Sequence, residues 1–148
     1  MNDQFPEILP RLESYSTMRT WRERFGRYLL RGSRCADCGS KWFPRRDGLN
    51  CPKCAGLKLE DYDCARAGTI DVVQKEDMGY PVMGYGETAP RLVCTIKLDD
   101  GVTILSEIVD ASPEEAVPGA RVKMVFRKHK REETGAWMYG YMFAMERD

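Results

Sequence analysis

The chain has 148 residues, 43% apolar and 31% charged, the balance of a soluble globular protein forming one domain or two small ones. It holds no apolar run of about 18 residues, so a membrane-spanning helix is excluded. Formal net charge is zero and the pI is about 6.6, which weighs against the strongly basic footprint of a dedicated nucleic-acid binder.

The charge is unevenly spread. Residues 1–50 hold 10 Lys/Arg against 6 Asp/Glu, and residues 51–148 hold 13 against 17. This is either surface scatter or a basic N-terminal face for an acidic or phosphate-bearing partner. The opening stretch, MNDQFPEILPRLES, lacks a basic segment followed by an apolar one, so a cytoplasmic location is expected.

Residues 14–30, SYSTMRTWRERFGRYLL, predict an amphipathic helix. Met18, Trp21, Phe25, Tyr28 and Leu29 recur at helical spacing, while Arg19, Arg22, Glu23 and Arg27 take the other side. Ser14 or Ser16 is the N-cap candidate. Gly26 costs about 1 kcal/mol against Ala and weakens the middle of the helix.

Next come Cys35, Cys38, Cys51 and Cys54, spaced C-x2-C-x12-C-x2-C. Two such turns each point a pair of sulfurs at one centre and together complete a tetrahedron, the pattern of a rubredoxin-like zinc ribbon. Gly39 and Gly56 suit the tight turns. One structural Zn²⁺ per chain is expected, with mononuclear iron the other metal such a site accepts. In a reducing compartment these spacings speak for metal rather than disulfides. A redox Cys-x-x-Cys belongs in a strand–helix setting, which is absent here. Four cysteine ligands leave no coordination position for water or substrate, so the metal is expected to hold shape. Cys64 and Cys94 read as packing residues, and His129 as a surface strand residue.

Strand signals follow at 68–76, 91–98, 102–109, 121–130 and 137–145. A Gly/Pro-broken loop spans 80–90, and Asp99-Asp100-Gly101 predicts a hairpin. Ser112-Pro113-Glu114-Glu115 predicts a short capped helix between the third and fourth strands. In the fourth strand Val122, Met124 and Phe126 alternate inward. In the fifth, Trp137, Tyr139, Tyr141 and Phe143 share a face. Three strands, a helix and two strands is the order of an OB-fold, with an SH3-like barrel or open meander as the competing arrangements. The expected architecture is mainly β: a helical arm (1–30), a four-cysteine zinc ribbon (31–64) and a five-stranded OB-fold barrel (65–148).

OB-folds bind single-stranded nucleic acid through aromatic platforms and basic grooves. Here Arg121, Lys123, Arg127, Lys128, Lys130 and Arg131 run without an intervening acid, beside the aromatic last strand. Single-strand binding is therefore one function to test.

The other comes from a resemblance. The helix before the ribbon, CADC…WFPRR…CPKC (35–54), the strand start at Gly68, MGYGETAPR (83–91), LDDG (98–101), SEIVD (106–110), PGARVKMVFRKHKRE (118–132) and AWMYGYMF (136–143) together resemble the zinc-ribbon/OB-fold accessory proteins of thiolase-superfamily and other acyl-CoA enzymes. The resemblance spans nearly the whole chain after residue 14. It implies a non-catalytic subunit of a thiolase or acyltransferase complex, which braces the catalytic partner and shares CoA or acyl-CoA with it. Trp21, Phe25 and Tyr28 then offer one contact face, and Trp42, Phe43 and Pro44 a second between the zinc knuckles. Arg45 and Arg46 either meet CoA phosphates or pair with carboxylates such as Asp37 and Asp47. The loop holding Met83, Gly84, Tyr85 and Gly86 either lines the acyl-CoA channel or simply joins two strands. The chain alone is expected to show no catalysis, with no membrane partner.

Overall fold

The computed structural model describes residues 17–46, 48–78, 85–131 and 137–147. Helix α1 covers Thr17–Leu29, so the proposed cap at Ser14 or Ser16 lies outside the described residues. Gly26 does not interrupt it. The helix ends at Leu30, whose N–H donates to the Gly26 carbonyl at 3.2 Å and whose φ is +55°. A left-handed backbone costs a side-chain-bearing residue about 1–2 kcal/mol. Leu30 is fully buried, and burying a leucine side chain returns about 1.5–3 kcal/mol. Burial outweighs the strain, which is why leucine stands where glycine is usual.

Three short strands follow: β1 (Arg31–Cys35), β2 (Lys41–Trp42) and β3 (Leu59–Asp63). They form an antiparallel sheet in the order β2-β1-β3. Gly32 permits the sheet to close, because a Cβ there would lie 2.2 Å from the Trp42 carbonyl oxygen. Arg31 and Asp63 lie opposite each other across β1 and β3 and pair at 2.7 Å.

The remaining strands are β4 (Ala67–Glu76), β5 (Arg91–Leu98), β6 (Thr103–Val109), β7 (Arg121–Arg131) and β8 (Trp137–Met145). They close a barrel in the order β4-β5-β6-β8-β7, the connectivity of an OB-fold, with β6 and β8 paired parallel. Ile70, Ile96, Leu98, Ile104, Ile108, Val122 and Phe143 fill the interior.

Two expectations change. The segment after β6 is a single turn rather than a helix. Ser112 N–H donates to Glu115 Oε2 at 2.9 Å, and the Ser112 carbonyl accepts from Glu115 and Ala116. The capping chemistry is present, but Pro118-Gly119 follows before a second turn can form. Phe126 is also not inward. Barrel pairing of β7 with β4 ends at Lys123, and β8 meets β6 only at Phe143 and Ala144. Beyond those points β7 and β8 run on as a two-stranded extension against which α1 packs. Alternation there no longer distinguishes barrel interior from surface.

The ribbon is tied to the barrel at the β5–β6 hairpin. Asp100 Oδ2 accepts from the Tyr62 hydroxyl and the Ala65 N–H, each at 2.9 Å.

Candidate functional site

The two cysteine turns repeat one hydrogen-bond pattern. In the first, Gly39 N–H donates to the Cys35 carbonyl at 3.0 Å, and Cys35 N–H donates to the Ser40 carbonyl at 2.9 Å. In the second, Ala55 N–H donates to the Cys51 carbonyl at 2.8 Å, and Cys51 N–H donates to the Gly56 carbonyl at 2.9 Å. The residue after each second cysteine is left-handed: Gly39 at φ +70° and Ala55 at +59°. Gly56 closes the second turn through its carbonyl, while the left-handed position falls to Ala55. A Cβ on Gly56 would sit 2.2 Å from Asp37 Oδ2 and 3.3 Å from Cys54 Sγ.

These turns bring all four sulfurs within 4.8 Å of one another. Cys35–Cys54 and Cys38–Cys51 are each 3.6 Å apart. A tetrahedral ion with ligand bonds of about 2.3 Å places its sulfurs roughly 3.8 Å apart, so the four fit one metal ion. Ser40 Oγ lies 3.2 Å from Cys38 Sγ, and the Ser40 side chain and backbone lower the Cys38 thiol, while Cys54 in the same cluster is raised. Bound there, a metal would supply cross-linking of the two turns. Cys64 and Cys94 are buried, and burial raises their thiols to about 11 and about 12. Both are packing residues, as expected.

Trp21 is 65% exposed, and the Arg24 guanidinium lies over its ring and that of half-buried Phe25, at 3.8 and 4.2 Å. Tyr28 continues this face onto the barrel. Its ring meets Phe126 edge-on at 5.3 Å, and Phe126 stacks on Tyr139 at 5.8 Å and 18°. Phe126 and Tyr139 are 47% and 43% exposed. Strand alternation hid both, because it placed them on core-facing sides.

The cluster between the cysteine knuckles is divided. Pro44 is exposed and Trp42 half-buried. Phe43, expected to protrude, packs against the barrel core with its ring edge-on to Tyr141 at 5.6 Å; the ribbon has no core of its own, but the barrel supplies one. Arg45 pairs with Asp61 at 3.1 Å, not with Asp37, and Asp47 lies outside the described residues. Arg46 N–H donates to the buried Ser33 Oγ at 2.9 Å.

Of the loop, Met83 and Gly84 lie outside the described residues. Tyr85 is half-buried and Gly86 exposed. The Arg91 guanidinium covers the Tyr85 ring at 3.9 Å and pairs with Glu76 and Glu107. His129, expected as a surface strand residue, lies on β7 and is half-buried, 3.5 Å from Glu107 and edge-on to Tyr85. Sequence reading passed over this polar cluster because its members come from five separate segments, β4, the loop after it, β5, β6 and β7.

A family model described as "ChsH2, C-terminal OB-fold domain" matches residues 72–127. A DUF35 domain-containing scaffold protein of Methanothermobacter thermautotrophicus is 37% identical over 129 residues, 86% of this chain and 94% of the relative. One from Methanocaldococcus jannaschii is 34% identical, over 89% of this chain and 92% of its own length. One from Pyrococcus furiosus is 31% identical, over 84% and 89%. A solved structure titled "Ltp2-ChsH2(DUF35) aldolase" shares the fold, with a TM-score of 0.63, 20% identity and coverage of 86% of this chain and 89% of that one. With the four-cysteine ribbon and the closed five-stranded barrel, these relations identify the chain as a member of the DUF35 domain-containing scaffold proteins.

Proposed function

We propose that this chain is a non-catalytic, zinc-holding subunit that docks on a thiolase-like enzyme and helps form its acyl-CoA channel. It would support C–C bond cleavage or formation, or acyl transfer, in an enzyme of the benzoylsuccinyl-CoA thiolase or acetylphloroglucinol acetyltransferase type. The observation that carries the reading is the exposed ring series Tyr28, Phe126 and Tyr139, joined across α1, β7 and β8. Clustered surface aromatics of this kind supply the anchors of protein interfaces.

Membership among scaffold proteins supports the reading, as does a fold shared with a ChsH2 chain in an aldolase assembly. Trp21, Phe25 and Tyr28 with Phe126 and Tyr139 form the main contact, and Trp42 and Pro44 a second one. Phe43 holds the ribbon against the barrel beneath them. Arg45 and Arg46 face CoA phosphates, and Met83, Gly84, Tyr85 and Gly86 line the channel. By resemblance to such accessory subunits, the nucleophile and base belong to the partner; the sole histidine of this sequence, His129, sits against Glu107 and Tyr85. Acyl transfer should be absent from this chain alone and should depend on it when the partner is added. Full activity of the partner without it would reject the proposal.

Single-strand binding is favoured by one observation: the Phe126–Tyr139 stack lies on the same strands as Lys123, Arg127 and Lys128. Against it, Arg121, Arg127 and Arg131 already pair with Asp99, Asp110 and Glu87. Phosphate contacts give a steep salt dependence, so weak oligonucleotide binding that is flat with salt would dismiss this reading.

A further inference from the structure

Helix α1 has no acidic residue in its first turn to answer the helix dipole, and a helix of 13 residues is marginal in water on its own. Its C-terminal end is anchored by the barrel, through buried Leu30 and the contact of Tyr28 with Phe126. The turns that carry Trp21 and Phe25 are held from the ribbon instead. Arg31, the first residue of β1, lies directly opposite Asp63 on β3 and donates to both of its carboxylate oxygens, at 2.7 and 3.2 Å. The same guanidinium lies 5.0 Å from the centre of the Phe25 ring, within reach of a cation–π contact. Arg24 meets that ring at 4.2 Å and also covers Trp21 at 3.8 Å. Asp63, Arg31, Phe25, Arg24 and Trp21 therefore form one unbroken line from the ribbon sheet to an exposed ring.

Asp63 is placed by the sheet, and the sheet by the cysteine site. Strand β1 begins at Arg31 and ends at Cys35, one of the four cysteines that fit a metal ion. Its register with β3 runs from Arg31–Asp63 to Cys35–Leu59. Strands of 5, 2 and 5 residues bury too little apolar surface to keep that register without a cross-link. Arg31 and Asp63 are both partly exposed, so their attraction is weak unless the sheet holds them face to face. We infer that Arg31 is the positioning residue of the docking face: through it the metal-loaded ribbon sets the helix turns that carry Trp21 and Phe25, and loss of the metal withdraws those rings from the partner. This rests on the docking reading above and names what regulates it.

Contact alone is not coupling, so amide exchange of the full-length chain is followed by mass spectrometry while one link is broken at a time. Metal-loaded Arg31→Gln should exchange roughly fivefold to tenfold faster over residues 21–27, the scale of a cation–π contact and its ion pair, with β5 unchanged. The double variant Arg31→Asp, Asp63→Arg restores the ion pair across β1 and β3 but takes the cation away from Phe25. It should return ribbon exchange and metal content to wild type and leave residues 21–27 fast. Chelated wild type should lose protection over 21–27 together with β1 to β3, and native mass spectrometry of the complex from the host should show the chain leaving its enzyme as this happens. Unchanged exchange in metal-loaded Arg31→Gln, or helix protection that survives full chelation, would overturn the inference. Recovery of ribbon and helix together in the double variant would also overturn it, leaving Arg31 to hold the ribbon alone. So would a complex that stays whole after residues 21–27 have loosened. A chain that joins no enzyme when metal-loaded, yet loses helix protection with its metal, would remove the docking reading and keep the role of Arg31. Helix exchange indifferent to Arg31 in a chain that does join its enzyme would do the reverse.

Discussion

The Tyr62 hydroxyl donates to Asp100 Oδ2 at 2.9 Å, and this bond joins the last strand of the ribbon to a hairpin of the barrel. The same oxygen accepts the Ala65 N–H at 2.9 Å, and Oδ1 accepts the Val102 N–H at 3.2 Å. One carboxylate thus organises its own hairpin and orients the metal-binding sheet. Asp100→Ala leaves three donors short of an acceptor and should cost about 1–3 kcal/mol, with Tyr62→Phe costing about 1 kcal/mol. Urea denaturation of the metal-loaded variants checks both. Equal stability of Asp100→Ala and wild type would show that the hairpin does not hold the ribbon.

Metal removal should act on the ribbon first. Four sulfurs at tetrahedral spacing imply a site whose ion contributes roughly 10–16 kcal/mol to folding in small zinc modules. Chelation should abolish amide protection across β1 to β3 and spare the barrel interior around Ile96 and Phe143. Elemental analysis should find one zinc per chain. Ribbon protection that survives complete chelation would remove the structural role of the metal.

The two knuckles permit a paired backbone test. Gly39 has φ +70° and open space where a Cβ would go, so Gly39→Ala adds only left-handed strain, about 1–2 kcal/mol. Ala55 already bears that strain at φ +59°, and Ala55→Gly should stabilise by up to about 1 kcal/mol. Gly56→Ala should cost little by comparison, because its Cβ clashes with the carboxylate tip of exposed Asp37, which can turn away. Melting temperatures at fixed metal loading rank them.

Acid should weaken the fold through its paired carboxylates. Arg31 holds Asp63 below its ordinary 3.8, and Arg121 does the same for Asp99. A depressed folded-state value means that stability is present above the unfolded value and is lost as pH falls through the folded one. Stability from these pairs should therefore be level above about pH 5 and decline below about pH 4. Asp63→Asn with Asp99→Asn should flatten that decline. Metal loss adds to the acid response because thiolates protonate, so the comparison uses stability curves at matched metal occupancy.

Much of this was legible in the sequence, for physical reasons. The cysteine spacing set the knuckles, and period-two alternation set Leu92, Cys94, Ile96 and Leu98 inside β5, because β5 is paired on both sides within a closed wall. Alternation misled at Phe126, where the β7–β8 pair leaves the barrel and an outward ring meets α1. Local chemistry around the knuckles also left Phe43 apparently stranded, because its burial depends on Tyr141, 98 residues further along the chain. Arg91, Glu107 and His129 converge only through strand pairing. The cap at Ser112 was read correctly as chemistry and overextended as length.

The ring series should prove energetic as well as exposed. Tyr28→Ala and Phe126→Ala should each weaken association with the catalytic partner by about 2 kcal/mol, the scale of interface anchors, with zinc content unchanged. Trp42→Ala should weaken association with zinc retained, whereas loss of zinc would assign Trp42 to ribbon packing. Phe43→Ala should lower the melting temperature, because Phe43 packs against the barrel core.

The central claim is that this chain works as a docked subunit. Its most direct test is native mass spectrometry of the untagged protein purified from its host without chelator. The account predicts a complex in which this 17.0 kDa chain accompanies a larger protein with thiolase motifs, and in which acyl transfer falls when the chain is stripped away. A zinc-loaded monomer eluting alone, from lysate in which that enzyme is present and fully active, would contradict it.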